Sequence, residues 1–208
     1  MAKQKQQDQS ITTIANPRLY TYVVARDYGF APNPFYGVCT LATCKPDIRR
    51  SASPGDYIVG VGQSPNNHRL VYWMKVYSYT TYDEYWASDQ YQCKKPSFDG
   101  SLKKAYGDNI YRTNGDGDWI QAPSHHSFPN GTPNPLNIKS DTKTNKVLLG
   151  TEFAYWGSSG PSLPRGLRHM CGGRGHRCRF PEDERQRFID WLKTNTDQGC
   201  QGLPQKWR

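Results

Sequence analysis

The stretch Arg26-Asp-Tyr-Gly-Phe-Ala-Pro-Asn-Pro-Phe-Tyr-Gly37 constrains this chain more than any other. Its two prolines and two glycines exclude a helix and fix a series of turns, leaving Arg26, Asp27 and Asn33 on backbone that is rigid without being regular. The run before it, Arg18 to Ala25, is dense in aromatic and β-branched residues and reads as a buried or half-buried strand. The segment continues through Val-Cys-Thr-Leu-Ala-Thr-Cys-Lys-Pro46. A pocket for a planar base needs a rigid aromatic face, here Phe30, Phe35 or Tyr36, and a few convergent hydrogen-bonders, here Asn33 or Thr40. Lys45 joins these as a substrate-binding candidate. The alternative is a structural loop packed by its own rings.

Downstream, Pro54 to Gly62 and Arg69 to Tyr79 are two aromatic and β-branched runs separated by a polar turn, which predicts a hairpin. Thr81-Tyr-Asp-Glu84 has capping-box spacing and predicts a short helix after the second strand. Residues 94 to 146 are rich in Gly, Pro, Asn and Asp and read as a long functional loop region. Lys146 to Gly150 and Glu152 to Trp156 read as short strands. A last helix follows Pro181, taken as its first helical residue, with Phe188, Ile189, Trp191 and Leu192 as its apolar face. Residues 1–16 are a polar leader expected to be disordered, and 17–208 form one domain.

Charge narrows the partners. Lys and Arg total 27 against 18 Asp and Glu, a net +9, and seven arginines between Arg165 and Arg187 face only Glu182, Asp183 and Glu184. Concentrated positive charge points to a polyanion, DNA or a nucleotide. No apolar run is long enough to span a bilayer, and the polar start lacks a signal peptide's apolar stretch, so the expectation is a cytoplasmic protein without a membrane partner. Six cysteines without a signal peptide then imply free thiols. Cys39 and Cys44, and Cys171 and Cys178, lack the paired two-residue spacings of zinc sites, so no metal is assigned. Buried thiols are the favoured account of Cys39 and Cys44; the alternative, Cys39 as a nucleophile, needs a nearby histidine that the sequence alone cannot place.

Three other constellations carry titratable groups. Ser124-His-His-Ser127 offers His125 for proton transfer and His126 for substrate contact; adjacent residues on an extended chain point opposite ways, so at most one should face a given site. Gly100 to Tyr111 holds Lys104, which could meet a phosphate, with Asp108 to orient a hydroxyl and Asn109 beside it, or else a solvated helical face and a turn. Cys171-Gly-Gly-Arg-Gly-His176 presents Arg174 on a flexible, phosphate-friendly backbone, or is merely a basic connector.

The hairpin running into a small acidic-aromatic helix resembles the PUA-like barrels, including the EVE and ASCH relatives, which bind nucleobases or RNA. The long strings Gly29 to Pro46, Gly55-Asp-Tyr-Ile-Val-Gly60, Gly100 to Tyr111, Trp119 to Ser127, Phe153-Ala-Tyr-Trp-Gly157 and Gly173-Arg-Gly-His176 resemble the nucleotide-modification-associated domain family, type 2. That resemblance implies a role in DNA base modification. The expected architecture is α+β: a curved or barrel-like mixed β-sheet, PUA-like in the extreme, with long loops and a C-terminal helix. The expected function is action on a nucleobase or nucleotide, with Asp27, Asp108 or His125 moving a proton and Arg26 at the phosphate or ribose. The alternative is a non-catalytic reader of modified bases; a third possibility is a protein-binding surface of aromatic residues. The sequence names no cofactor and no oligomeric state.

Overall fold

The computed structural model describes residues 16–65 and 68–207. The predicted first strand is β1 (Leu19–Val24), and its β-branched and aromatic side chains allow burial on both faces. Leu19 packs into one core, while Tyr20, Tyr22 and Val24 pack into the core on the opposite side. The proline-rich stretch then leads to β2 (Cys39–Leu41) and the short helix α1 (Pro46–Ser51). The expected hairpin is β3 (Tyr57–Gly62) and β4 (Leu70–Lys75), paired antiparallel. β5 (Ser78–Thr80) runs into α2 (Tyr82–Ala87), where Thr81 and Glu84 form the reciprocal capping box that their spacing predicts.

Residues 94 to 146 are more ordered than their composition suggests. They hold α3 (Leu102–Ala105), a small hairpin of β6 (Tyr111–Thr113) and β7 (Trp119–Gln121), and α4 (Pro135–Asp141). Elements this short cannot show a periodic apolar pattern, which is why they read as loop. β8 (Val147–Gly150) and β9 (Glu152–Tyr155) are the two strands expected next. The chain then forms β10 (His176–Arg177), α5 (Glu182–Asn195) and β11 (Gly199–Cys200). Phe188, Ile189 and Leu192 of α5 are buried as expected, with Pro181 at the cap position just before the helix rather than inside it.

The main sheet has the order β10-β1-β3-β4-β9-β11; β1 pairs β3 and β9 pairs β11 in parallel, and the other neighbours are antiparallel. The pleat of β3 sends Tyr57, Val59 and Val61 to the α5 side and Ile58 to the other. Gly60 is required between them, because a Cβ there would lie 2.5 Å from the Tyr72 ring. The second face is covered by a three-stranded antiparallel sheet, β2-β8-β5, and by Ile48 of α1. A third cluster of Ala42, Tyr82, Tyr85, Tyr111, Val147 and Leu149 fastens α2 and the β6–β7 hairpin to that sheet.

The barrel-like expectation needs correcting. Closure requires the outer strands to pair with each other, but here β10 and β11 end an open six-stranded sheet with four strands between them. No closed barrel forms among the described residues, and the architecture is mixed α/β. The polar leader falls outside the described residues up to position 15. No helix among the described residues is long and apolar enough to cross a membrane.

Candidate functional site

A cleft of about 560 Å³ opens between the end of β1 with its following loop, the turn at Cys44, the turn at His125 and His126, and the last turn of α4. Tyr22, Tyr28 and Phe30 supply aromatic wall; Arg26 and Lys45 supply positive charge. Lys45 Nζ lies 4.5 Å from the centre of the Tyr22 ring, and burial lowers its pKa.

Cys44 and Lys45 both have left-handed backbone, at φ 57° and 40°, a conformation that costs a side-chain-bearing residue on the order of 1–3 kcal/mol. The surroundings hold it there. The Cys44 N–H donates to Asp141 Oδ1 at 2.7 Å, and the wholly buried Arg49 donates from Nε to the Cys44 carbonyl at 2.8 Å. Arg49 also donates to the Asp141 carbonyl, the Tyr82 hydroxyl and the Lys146 carbonyl, so one guanidinium ties the cysteine turn to the end of α4.

A thiol, an imidazole and a carboxylate meet at this turn. Cys44 Sγ is 3.7 Å from His126 Nε2, and His126 Nδ1 is 2.7 Å from Asp141 Oδ2. Asp141, only 2% exposed, accepts a further hydrogen bond from the Tyr111 hydroxyl at 2.9 Å. The His126 carbonyl is held by Asn137 Nδ2 at 2.7 Å and Gln121 Nε2 at 3.3 Å. Burial opposes a charge on His126, but the hydrogen bonds to Asp141 and Cys44 and their negative charge outweigh it and lift its pKa to about 9. A sulfur within reach of an imidazole that a carboxylate orients is the arrangement used in nucleophilic cysteine chemistry. The same three donors lie within 4.8 Å of one another and so could hold a metal. However, the 2.7 Å contact between His126 Nδ1 and Asp141 is a hydrogen bond, shorter than the roughly 3.3 Å separating two ligands of one tetrahedral zinc ion with N and O bonds near 2.0 Å.

A family model described as nucleotide modification associated domain 2 matches residues 16–208. The chain belongs to that family. No curated protein and no solved structure matches it.

For a nucleotide modification associated domain the candidate residues divide sharply by location. Arg26, Phe30, Lys45, His125 and His126 line the cleft. The two histidines sit in a turn closed by Ser127 N–H to the Ser124 carbonyl at 3.0 Å, so both reach one site, against the expectation from an extended chain. His125 packs on Tyr28 and Phe30 at 4.2 and 5.4 Å. Burial, then the neighbouring charges of His126 and Arg26, push its pKa down to about 4, so it is neutral at neutral pH.

The other candidates lie elsewhere. Asp27 is buried, accepts from the Tyr155 hydroxyl and the Gly29 and Gln205 N–H groups, and anchors the C-terminal segment; burial raises its pKa. Asn33, Thr40 and Asp108 form a sealed network around the buried Lys94. The ammonium meets the Asn33 carbonyl and side-chain oxygens at 2.9 Å and Thr40 Oγ1 at 3.1 Å, while Asp108 accepts from Thr40 at 2.6 Å and Tyr85 at 2.9 Å. Burial pushes the Lys94 pKa down to about 8, against the pull of Asp108. Asn109 is buried beside them and donates to the Tyr85 and Tyr91 carbonyls. Phe35 and Tyr36 line a second hollow. Lys104 and Arg174 are exposed and line neither the cleft nor that hollow.

Sequence reasoning did not join Cys44 to His126 and did not single out Asp141 or Arg49. A cysteine followed by Lys-Pro, a histidine pair and a later acid are all visible in the sequence, but no fixed spacing joins them.

Proposed function

We propose that this domain modifies a nucleobase or nucleotide through a covalent intermediate on Cys44. The observation that carries the reading is the Cys44–His126–Asp141 relay in an open cleft with aromatic walls and a cationic rim. A flat heterocycle would lie against Phe30 and Tyr28, with its phosphate toward Arg26 and Lys45. Cys44 Sγ would attack an electrophilic carbon. His126 Nε2, charged by the thiol proton, would return that proton to the departing atom; water would then attack the same carbon, giving a proton to His126 and releasing Cys44 as the C–S bond breaks. Asp141 would orient the ring and stabilise its charge.

The family description, nucleotide modification, supports this substrate class. The reader alternative needs the same aromatic walls but no titratable relay inside them. Mass spectrometry of nucleosides from DNA of cells making the protein should show a modified nucleoside that disappears with Cys44→Ala. His126→Gln should cut its rate of formation by roughly 100- to 10,000-fold. A nucleoside profile unaffected by either variant, with salt-dependent binding to modified DNA, would replace the enzyme with the reader.

A further inference from the structure

A second hollow lies beyond the cleft at Cys44. The second hollow, about 720 Å³, is lined by Phe35, Tyr36, Lys103 and Trp207 among others. A row of rings joins the two. Phe35 stacks on Trp207 at 5.3 Å, Trp207 on Tyr106 at 6.1 Å, Tyr106 on Tyr28 at 5.1 Å, and Tyr28 meets His125 at 4.2 Å in the wall of the cleft. The first three pairs are within 26° of parallel.

Charge follows the rings. Lys103 Nζ stands 4.3 Å from the Tyr36 ring centre and 5.4 Å from that of Phe35, and among the described residues no acidic one lines the second hollow. In the first cleft Arg26, Lys45 and the charged His126 are the cations, and Asp141, the one acid among the described residues lining it, has its carboxylate bound by three donors. Tyr36 is 37% exposed and stands at φ 63°, a backbone conformation uncommon for a bulky residue. Its ring is part-exposed, with the Lys103 ammonium over one face.

A free nucleotide fits the first cleft alone and gives the second hollow nothing to do. Two hollows, each with rings and cations and linked by a row of packed side chains, suit a single strand of nucleic acid, which needs faces for unstacked bases and ammonium groups for the phosphates between them. A duplex cannot use them, because its base faces are already stacked.

Resting on the proposed function, we infer that the substrate is an unpaired DNA strand: its target base enters the Cys44 cleft and a flanking base stacks on Tyr36 with its phosphate at Lys103. The test is fluorescence anisotropy with a 15-nucleotide single strand, the same sequence as duplex, and a nucleoside monophosphate as competitor, each at 50 and 200 mM salt. Expected is preference for the single strand with an affinity that falls with salt. Lys103→Ala should lower the slope of log affinity against log salt by about 0.7, the single-strand value for one lost phosphate contact. Tyr36→Gly places in the left-handed backbone a residue that adopts it freely, so the fold is kept, and affinity should drop about 5- to 150-fold. Iodoacetamide labelling of Cys44 reports whether the relay is intact in each variant. Equal affinity for strand, duplex and mononucleotide would overturn the inference, as would unchanged strand affinity in both variants. Cys44→Ala separates the two readings: if it abolishes modification but not strand binding, both stand. If strand binding survives while modification never occurs, the track stands and the enzyme falls.

Discussion

His126 gives the most direct physical test of the relay, because its charge must show in stability. Its pKa rises from 6.5 to about 9 on folding, so the folded state holds the proton more tightly than the unfolded chain does. The resulting stabilisation is complete below pH 6.5 and is lost as pH rises through 9. At about 1.4 kcal/mol per unit, the shift corresponds to about 3 kcal/mol. The groups facing the ring are Cys44 on Nε2, Asp141 on Nδ1, and His125 beside it. His125, with its pKa near 4, contributes below this window rather than within it. His126→Gln removes the charge and retains a group able to hydrogen-bond Asp141. Thermal unfolding followed by circular dichroism under reducing conditions, at pH values from 6.5 to 9.5, should show wild type losing its margin over the variant. At about 2–4 °C per kcal/mol for a domain of this size, the melting-temperature gap should shrink by about 6–12 °C. A gap constant across that range, or one that widens, would mean that His126 is neutral in the fold and that no ion pair with Cys44 exists.

Two further outcomes separate the relay from its surroundings. Iodoacetamide at pH 7 should alkylate Cys44 ahead of the exposed Cys93 and Cys200, and leave native Cys39 and Cys171 untouched, since burial pushes both of those thiols up, Cys171 to about 12. Peptide mapping should show His126→Gln slowing Cys44 by tenfold or more; Cys44 reacting no faster than Cys93 in wild type would contradict an activated thiol. Lys94→Met strips the cation from Asn33, Thr40 and Asp108, and should cost about 3–5 kcal/mol in urea unfolding while leaving the Cys44 alkylation rate unchanged. A loss below about 1 kcal/mol would show that this network is not sealed as described.

The contrast between these two polar clusters explains what was legible in the sequence. β1, the β3–β4 hairpin, the capping box at Thr81 and the apolar face of α5 were readable because each is set by residues within a few positions of one another. Openness of the sheet was not, because whether β10 meets β11 depends on pairings between distant segments. Asp108, Thr40 and Asn33 were attractive as site residues for the same reason that they are structural: carboxylate, hydroxyl and amide near rigid backbone satisfy a buried ammonium as readily as a substrate. Only Lys94, inconspicuous in a polar stretch, decides between the two. At the relay the signal is weaker still, since Cys44 and His126 are 82 positions apart and His126 and Asp141 are 15. Proximity there is made by Arg49, which binds the carbonyls of both Cys44 and Asp141 and has no chemistry of its own to announce. A buried guanidinium hydrogen-bonded mainly to carbonyls is costly unless its geometry is complete. That cost, set against the left-handed backbone it fastens at Cys44, argues that the turn is held for what its sulfur can reach.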